Sequence, residues 1–267
     1  HGFATELMAE EVPLVGPLSL LGKTLHHAHG FFFSVSPRRG GRMPELDDAE
    51  VLEWIGRFIA RIHNVGAKKK FDTRPTLNVD TFAIESRNWL IENSIIPMDQ
   101  QTEWLAVCNQ AIEIATEKFA AHPAQAIRLH GDCHPGNILW TPTDLPNGGP
   151  HFVDLDDARM GPAIQDLWMM LSGDPEEMRH QFNQILSGYE DFYEFNSREI
   201  HLVEALRTLR LIHYSAWIAS RWNDPAFTAA FTWFNTQQYW QDRILELREQ
   251  ISLMDDPPLR FEISGNC

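Results

Sequence analysis

The chain has 267 residues, 43% hydrophobic and 22% charged, so it can bury a substantial core and is not expected to be disordered. Its 22 lysines and arginines against 37 aspartates and glutamates give a net charge of −15, which disfavours nucleic acid as a partner because a phosphate backbone requires a cationic face. Cys108, Cys133 and Cys267 form no C-x-x-C pair, and no apolar run approaches the ~20 residues that cross a bilayer. We therefore expect a cytoplasmic globular protein with no nucleic-acid or membrane partner.

The first 40 residues predict a small region of mixed helix and strand. Apolar runs from Val12 to Leu21 and from Phe31 to Val35 flank a segment rich in Gly and His, which predicts a hairpin preceded by a short helix. Solvated histidines in the turn are expected at positions 26, 27 and 29. The Gly40–Gly41 pair marks the predicted boundary, so the two expected regions are residues 1–40 and residues 41–267.

Helical spacing of apolar residues dominates the chain beyond Gly41. One stripe runs from Val51 to Ile62, begun by Asp47 or Asp48, and another runs from Trp104 to Phe119. The same spacing predicts later helices over residues 163–171, 176–186, 198–222 and 234–254. The lysines at 68–70 follow a helix end, where they would meet its negative dipole.

Two short strands interrupt this helical region. The runs at 138–140 and 151–153 are separated by the turn-rich segment 144–150, which predicts a hairpin. Asn137 stands directly before the first strand and Asp154 directly after the second. The hairpin would therefore bring these two side chains to the same end.

The segment from His130 to Asn137 reads H-G-D-C-H-P-G-N, which has the spacing that phosphoryl transfer uses. Asp132 and Asn137 stand five residues apart, as in the kinase catalytic loop, where the Asp accepts the proton of a hydroxyl and the Asn holds Mg²⁺. A further carboxylate at a nearby strand end binds the metal that bridges the phosphates, and Asp154 is the natural candidate. An Asp before a turn alone would carry little weight, but the combination predicts a kinase that uses ATP and Mg²⁺.

The pattern H-G-D-x-H-x-x-N, followed by a hydrophobic-Asp-x-Asp strand end, resembles the aminoglycoside and choline phosphotransferase branch of the protein kinase-like fold. Gly131 replaces the Arg of eukaryotic protein kinases. The wider sequence over 129–140, 153–159, 161–168 and 221–227 resembles the bacterial stress response kinase A family of Ser/Thr protein kinases. The resemblance implies an α+β, two-lobed kinase-like fold whose truncated N-lobe is a hairpin and hinge remnant and whose C-lobe is mostly helical.

The resemblance also implies roles for individual residues. Asp132 would be the catalytic base, and the metal ligands would be Asn137, Asp154 and Asp156, although Asp156 could instead only brace the loop. Asp166 would support the catalytic loop through backbone hydrogen bonds. The hinge would run from Phe33 to Arg38, and its backbone at Phe33, Ser34, Val35 and Ser36 would meet the adenine of ATP.

Three parts of a complete kinase are not visible in the sequence: the glycine-rich loop, the strand Lys and the helix Glu that orients this Lys. Lys23 is the only Lys before Lys68, and it lies in a predicted hairpin turn. Residues 1–11 resemble the latter part of the N-lobe helix of the family. We therefore expect the missing parts upstream of residue 1, which leaves open whether this chain alone binds ATP.

The sequence leaves several alternatives open. The phosphate acceptor is expected to be a Ser or Thr of a protein, but the loop is shared with kinases of small-molecule alcohols such as aminoglycosides, choline-like amines and sugars. A non-catalytic binding module and a zinc metallohydrolase using His130 and His134 with Asp132 are further possibilities. For individual side chains we expect structural roles: His130 supports its loop, Cys133 is a packed thiol, and Asp157 caps the following helix.

Overall fold

The computed structural model describes residues 1–261, which contain both helices and strands. In chain order the helices are α1 (Gly2–Ala9), α2 (Ala49–Ala67), α3 (Glu85–Glu92), α4 (Met98–Ala121), α5 (Ile164–Trp168), α6 (Pro175–Tyr189), α7 (Val203–Ser220), α8 (Pro225–Ala230) and α9 (Gln237–Asp255). The strands are β1 (His26–Ala28), β2 (Phe31–Phe33), β3 (Ile127–Leu129), β4 (Ile138–Thr141), β5 (Gly149–Phe152) and β6 (Arg159–Gly161). The predicted α+β class is confirmed.

The chain forms two compact units. Within the described residues, one comprises His1–Arg74, Gln125–Asn196 and residues 259–261, and the other comprises Pro75–Ala124 and Ser197–Pro258. All residues of the predicted catalytic loop and metal site belong to the first unit. The expected boundary at Gly40–Gly41 stays a prediction.

The helix α2 runs through the first unit and confirms the predicted stripe. Asp48 caps it, since its carboxylate accepts hydrogen bonds from the backbone N–H groups of Glu50 and Val51 at 2.9 and 3.4 Å. The α2 backbone lies against α6, because a Cβ atom at Gly56 would lie 2.0 Å from the Ile185 carbonyl oxygen. Gly188 makes the reciprocal approach, so only glycine permits this packing.

Short antiparallel strand pairs also belong to the first unit. β3 pairs with β6, and β4 pairs with β5 with Ile138 opposite Phe152. The hairpin predicted around residues 138–153 is therefore confirmed. Single bridges extend the β4–β5 sheet on both sides, from Leu14 to Phe152 and from Arg42 to Trp140.

The N-terminal hairpin is present, but its first strand differs from the prediction. β1 pairs with β2 through a two-residue turn at His29 and Gly30, where φ is +50° and +84°. Both values are positive, as a type I′ turn requires. The predicted strand from Val12 to Leu21 is wrong, because Pro13 and Pro17 lack the N–H that a ladder needs. His26 and His27 accordingly lie in β1 and not in the turn.

The second unit is helical within the described residues. The stripe predicted around Trp104 is confirmed in α4, and the Trp104 ring meets Trp240 of α9 edge to face at 5.9 Å. The predicted helix over 198–222 begins instead as a 3-10 turn, Ser197–Leu202, before α7. A π-helical turn at Asp80–Ile84 and α3 were not predicted. Across residues 1–261, none of the helices combines the length and the apolar character that crossing a membrane would need.

Candidate active site

The catalytic-loop segment follows directly from β3, whose three residues are all buried. Gly131 turns the chain with φ of +89°, and a Cβ atom at this position would lie 2.2 Å from the Asp157 carbonyl oxygen. No residue with a side chain fits such an approach. The loop at 130–137 and the turn at 154–157 are therefore in direct backbone contact.

The Asn137 side chain is anchored to Asp132. Its amide nitrogen donates to the Asp132 carbonyl oxygen at 3.0 Å and to the carboxylate Oδ2 at 3.4 Å. Because the nitrogen donates in this way, the amide oxygen of Asn137 is the atom left to bind a cation. The Asp132 side chain is 21% exposed, and His134 Nε2 lies 3.5 Å from Oδ2. The Asp132 carboxylate and the Asn137 side-chain amide thus meet beside the start of β4.

Asp154 follows the second strand of the same hairpin. The backbone N–H of Val153 donates to the Asn137 carbonyl oxygen at 3.0 Å, so Asp154 is the next residue after the partner of Asn137. Asp154 has φ of +62° and ψ of +69°, a left-handed conformation that costs a non-glycine residue of order 1–3 kcal/mol. Its Oδ1 accepts a hydrogen bond from the Asp156 N–H at 3.4 Å. The chain therefore turns sharply at an exposed carboxylate beside Asn137.

His130 fixes the backbone between these residues. It is fully buried, and its Nε2 donates to the Val153 carbonyl oxygen at 2.8 Å. Val153 is consequently held on both sides, by its N–H and by its carbonyl. The expected structural role of His130 is confirmed.

Asp166 of α5 holds the start of the catalytic loop. Its two carboxylate oxygens accept hydrogen bonds from the backbone N–H groups of His130 and Gly131, both at 2.8 Å. The role expected for Asp166 is confirmed. Oδ2 also lies 3.0 Å from His63 Nε2, and His63 Nδ1 lies 2.7 Å from the Tyr189 hydroxyl. Asp166, His63 and Tyr189 are all 0% exposed.

The sequence did not predict that His63 and Tyr189 belong to a buried hydrogen-bonded chain with Asp166. They lie on α2 and α6, more than one hundred residues apart. The sequence signal was a histidine on an apolar helix face, next to Ile62. Such a residue has to find polar partners when buried, but the pattern does not say where they are.

Two arginines brace the turn after Asp154, and neither was predicted. Arg74 donates to the carbonyl oxygens of Asp156 and Ala158, the latter at 3.2 Å. Arg159 donates to the Asp157 carbonyl at 2.8 Å and to its carboxylate at 2.5 Å. The expectation that Asp157 caps the following helix is wrong, because its carboxylate pairs with Arg159 and the residue before α5 is Ala163.

Cys133 lies between Asp132 and His134 and is fully buried. Burial raises the pKa of its thiol well above the usual value, and the charges of Asp166 and Asp132 act in the same direction. A protonated, buried thiol is a packing residue and not a nucleophile, as expected. Cys267 lies outside the described residues.

The donor atoms favour a hard divalent cation over zinc. No group of three or more His, Cys, Asp or Glu side chains that could hold a metal ion occurs within residues 1–261. Mg²⁺ keeps several waters and takes one or two carboxylates together with substrate phosphates. Asn137 and Asp154 fit that demand, whereas His130 bonds to Val153 and His134 Nδ1 accepts from the Gly136 N–H. The zinc hydrolase alternative therefore lacks a ligand set among the described residues.

The predicted hinge is exposed at all four positions from Phe33 to Ser36. Phe33 pairs with His26 in the β1–β2 ladder, and the Val35 carbonyl accepts from the Leu18 N–H at 2.7 Å. Lys23 forms a tight turn with Leu20, as predicted. An adenine contact of the hinge stays a prediction.

The sequence profile of the phosphotransferase enzyme family matches residues 1–203. Among solved structures, the fold is similar to that of amicoumacin kinase hAmiN in complex with AMP-PNP, Ca²⁺ and Ami. The TM-score is 0.68 and the identity 15%, over 97% of this chain and 77% of the other. Fold and loop together define a kinase-like phosphotransferase.

Two curated relatives narrow this class. Stress response kinase A of Escherichia coli O157:H7 and the Serine/threonine protein kinase RdoA of Salmonella typhimurium LT2 are each 42% identical over 98% of this chain and 77% of their own length. The chain therefore belongs to the phosphotransferase enzyme family and, within it, to the stress response kinase A family. The predicted enzyme class, an ATP-dependent kinase, is confirmed.

Proposed function

We propose that the chain transfers the γ-phosphoryl group of ATP to a Ser or Thr hydroxyl of a protein in the cytoplasm. The observation that supports this most is that the Asn137 side-chain amide contacts the Asp132 carboxylate, while the Asn137 carbonyl accepts from the N–H of Val153, directly before Asp154. The printed name of the Salmonella relative, a serine/threonine protein kinase, favours a protein acceptor.

In this proposal Asp132 orients the acceptor hydroxyl and takes its proton, which contributes typically about 10²-fold to 10⁴-fold to the rate. Asn137 and Asp154 hold Mg²⁺, and the exposed Asp156 carboxylate is a further ligand. The metal neutralises charge that develops on the phosphates. Asp166 and His130 keep the loop in position, so positioning costs little when substrate binds.

The hinge residues Phe33, Ser34, Val35 and Ser36 are assigned to the adenine. Their exposure in the first unit leaves backbone groups accessible to a ligand, with the Val35 carbonyl already used by Leu18. The assignment predicts that nucleotide binding responds to proline substitution at Ser36, which removes one backbone N–H.

The decisive test compares Asp132→Asn with Asp144→Asn in the full-length protein. Asp144 is an exposed aspartate in the loop that joins β4 and β5, so it controls for loss of one charge on the same hairpin. We expect phosphorylation of a protein substrate with labelled ATP to fall at least ~10²-fold for Asp132→Asn only. Unchanged labelling by Asp132→Asn would refute the assignment of the base.

A small-molecule alcohol is the second candidate acceptor, because one solved structure with a similar fold is an amicoumacin kinase. A panel of aminoglycoside, choline, sugar and protein acceptors separates the two. Turnover of a metabolite without protein labelling would favour the small-molecule function. Failure of the full-length protein to bind Mg²⁺ and ATP at all would favour the non-catalytic binding module.

A further inference from the structure

A basic cavity of about 660 Å³ lies at the far end of β4 from Asn137. It is lined by Arg38, Arg39, Gly40, Gly41, Arg42, Trp140, Thr141, Pro142 and Pro146. Three of these nine residues are arginines and none is acidic, in a chain whose net charge is −15. The volume is in the range of small-molecule sites, about 300–1,000 Å³. We propose that this cavity binds a small anion that carries two or more linked phosphate groups.

The three arginines differ in how firmly they are held. Arg39 is fixed to the hairpin, since it donates to the Asn147 carbonyl oxygen at 3.1 Å and to His151 Nε2. Burial, and then the charge of Arg39, lowers the pKa of His151, so the ring stays neutral and can accept this bond. One of the arginines that line the cavity is thereby held in place before any ligand arrives.

The other two guanidinium groups are available to a ligand. Arg38 is exposed and makes no hydrogen bond or ion pair within residues 1–261. Arg42 pairs with Glu45 at 3.0 Å, but both side chains are more than half exposed, and such surface pairs are worth about 0–1 kcal/mol. Exchange of Glu45 for a phosphate therefore costs little, while a guanidinium binds phosphate through two parallel hydrogen bonds.

The walls of the cavity are rigid and partly apolar. The backbones of Arg42 and Trp140 exchange two hydrogen bonds of 3.0 and 2.7 Å, which ties the arginine segment to β4. At Gly41 an added Cβ would lie 2.8 Å from the Leu139 Cβ, so the two segments touch there. At Gly40 nothing lies within 4 Å, so the cavity is open at this point. Trp140, Pro142 and Pro146 supply an apolar side.

The cavity is distinct from the proposed phosphoryl-transfer site. Thr141 stands four strand positions from Asn137, which corresponds to about 13 Å at roughly 3.3 Å per residue. The end of the hairpin near Asn137 carries carboxylates and repels an anion that arrives without a divalent cation. Removal of divalent cations therefore separates binding at the arginines from binding at the catalytic end, whatever the outcome for the proposed function.

The test uses tripolyphosphate as the probe, titrated calorimetrically into the full-length protein in EDTA at low ionic strength. The double variant Arg38→Ala/Arg42→Ala removes two exposed cations from the cavity. The control Arg179→Ala/Arg248→Ala removes two cations from ion pairs elsewhere, with Glu176 and Glu103. We expect the dissociation constant to rise at least 10-fold in the first variant and less than 3-fold in the second.

Three results would overturn the proposal. A dissociation constant of about 1 mM or weaker for tripolyphosphate and the wild-type protein would show that the cavity is not a specific anion-binding site. An equal loss of affinity in both double variants would show a general charge effect. Loss of binding in Asp154→Asn, in EDTA, would locate the anion at the catalytic end. Arg38→Ala alone repeats the measurement if the double variant fails to give a cooperative thermal unfolding transition.

Discussion

The catalytic hairpin and the N-terminal hairpin are built from strands of similar length, yet they are held very differently. Around residues 130–166 the backbone is fixed by buried groups, and His130 and Asp166 are 0% exposed. In the N-terminal hairpin, Phe31 and Phe32 are 74% and 72% exposed. Segments with few buried apolar contacts open at low free energy. The chain therefore preorganises its predicted phosphoryl-transfer end far more firmly than its predicted hinge.

The strongest test of this contrast is Asp166→Ala. The substitution leaves the N–H groups of His130 and Gly131 without their acceptor and removes the partner of His63. We expect the free energy of unfolding to fall by about 3–5 kcal/mol and phosphotransfer to be lost. Urea denaturation measures the first effect. Asp191→Ala, which removes an exposed partner of Arg57, is the control and should change stability by less than about 1 kcal/mol.

Two glycines with positive φ, one in each region, sharpen the comparison. Gly131→Ala adds left-handed strain and a clash with the Asp157 carbonyl, so we expect a loss of about 2–4 kcal/mol. Gly30→Ala adds similar strain, but a Cβ there meets nothing within 4 Å, so the expected loss is about 1 kcal/mol. Equal melting temperatures of the two variants would contradict the idea that only the catalytic hairpin is closely packed.

Alkaline pH should lower the stability of the folded protein through Cys133 in the predicted catalytic loop. Burial raises the pKa of this thiol in the folded state, so its contribution to stability is full below the ordinary value of 9.0 and declines as the pH rises above it. The slope is about 1.4 kcal/mol per pH unit for each such group. Denaturation at pH 9 and pH 10 should show a shallower decline for Cys133→Ala than for the wild type.

Cys108 in α4 is the matched control for this experiment. Burial raises its pKa to about 12, so Cys108→Ala should reduce the slope to a similar extent without touching the catalytic loop. A decline that is the same in the wild type and in both variants would show that the two thiols ionise freely in the folded protein.

The smallest effect is expected for Phe32→Ala in the N-terminal hairpin. The ring is mostly exposed and contacts His27 across the strands, at 4.9 Å between ring centres. Surface substitutions of this kind change stability within about 0.5 kcal/mol. A loss above ~1.5 kcal/mol in thermal unfolding would mean that this hairpin is as tightly packed as the catalytic one.

Local sequence was enough to predict the catalytic hairpin and its end residues. Gly131, the turn-rich segment 144–150 and the two flanking strands all act over short distances, so spacing alone reveals them. Helices α2 and α4 were also predicted from local sequence, because apolar residues repeat along one face of each. The prediction of the first strand of the N-terminal hairpin was wrong, because it gave the apolar run at 12–21 more weight than the two prolines within that run.

Long-range contacts account for most of what the sequence did not show. His63, Asp166 and Tyr189 come from three separate helices, and nothing in the neighbourhood of any one of them names the other two. The braces from Arg74 and Arg159 are of the same kind, as is the convergence of Arg38 to Arg42 with the β4–β5 loop. The metal-binding roles of Asn137, Asp154 and Asp156 stay predictions.

The close approach of α2 and α6 has a consequence for the chemistry. Gly56 and Gly188 let the two helix axes come as near as backbone atoms allow, and Tyr189 follows Gly188 directly. The separation of the axes therefore determines whether the tyrosine hydroxyl reaches the imidazole on the facing helix. A methyl group added at either glycine would lengthen that reach, and the disturbance would travel through the imidazole and its carboxylate partner to the peptide that carries the predicted base.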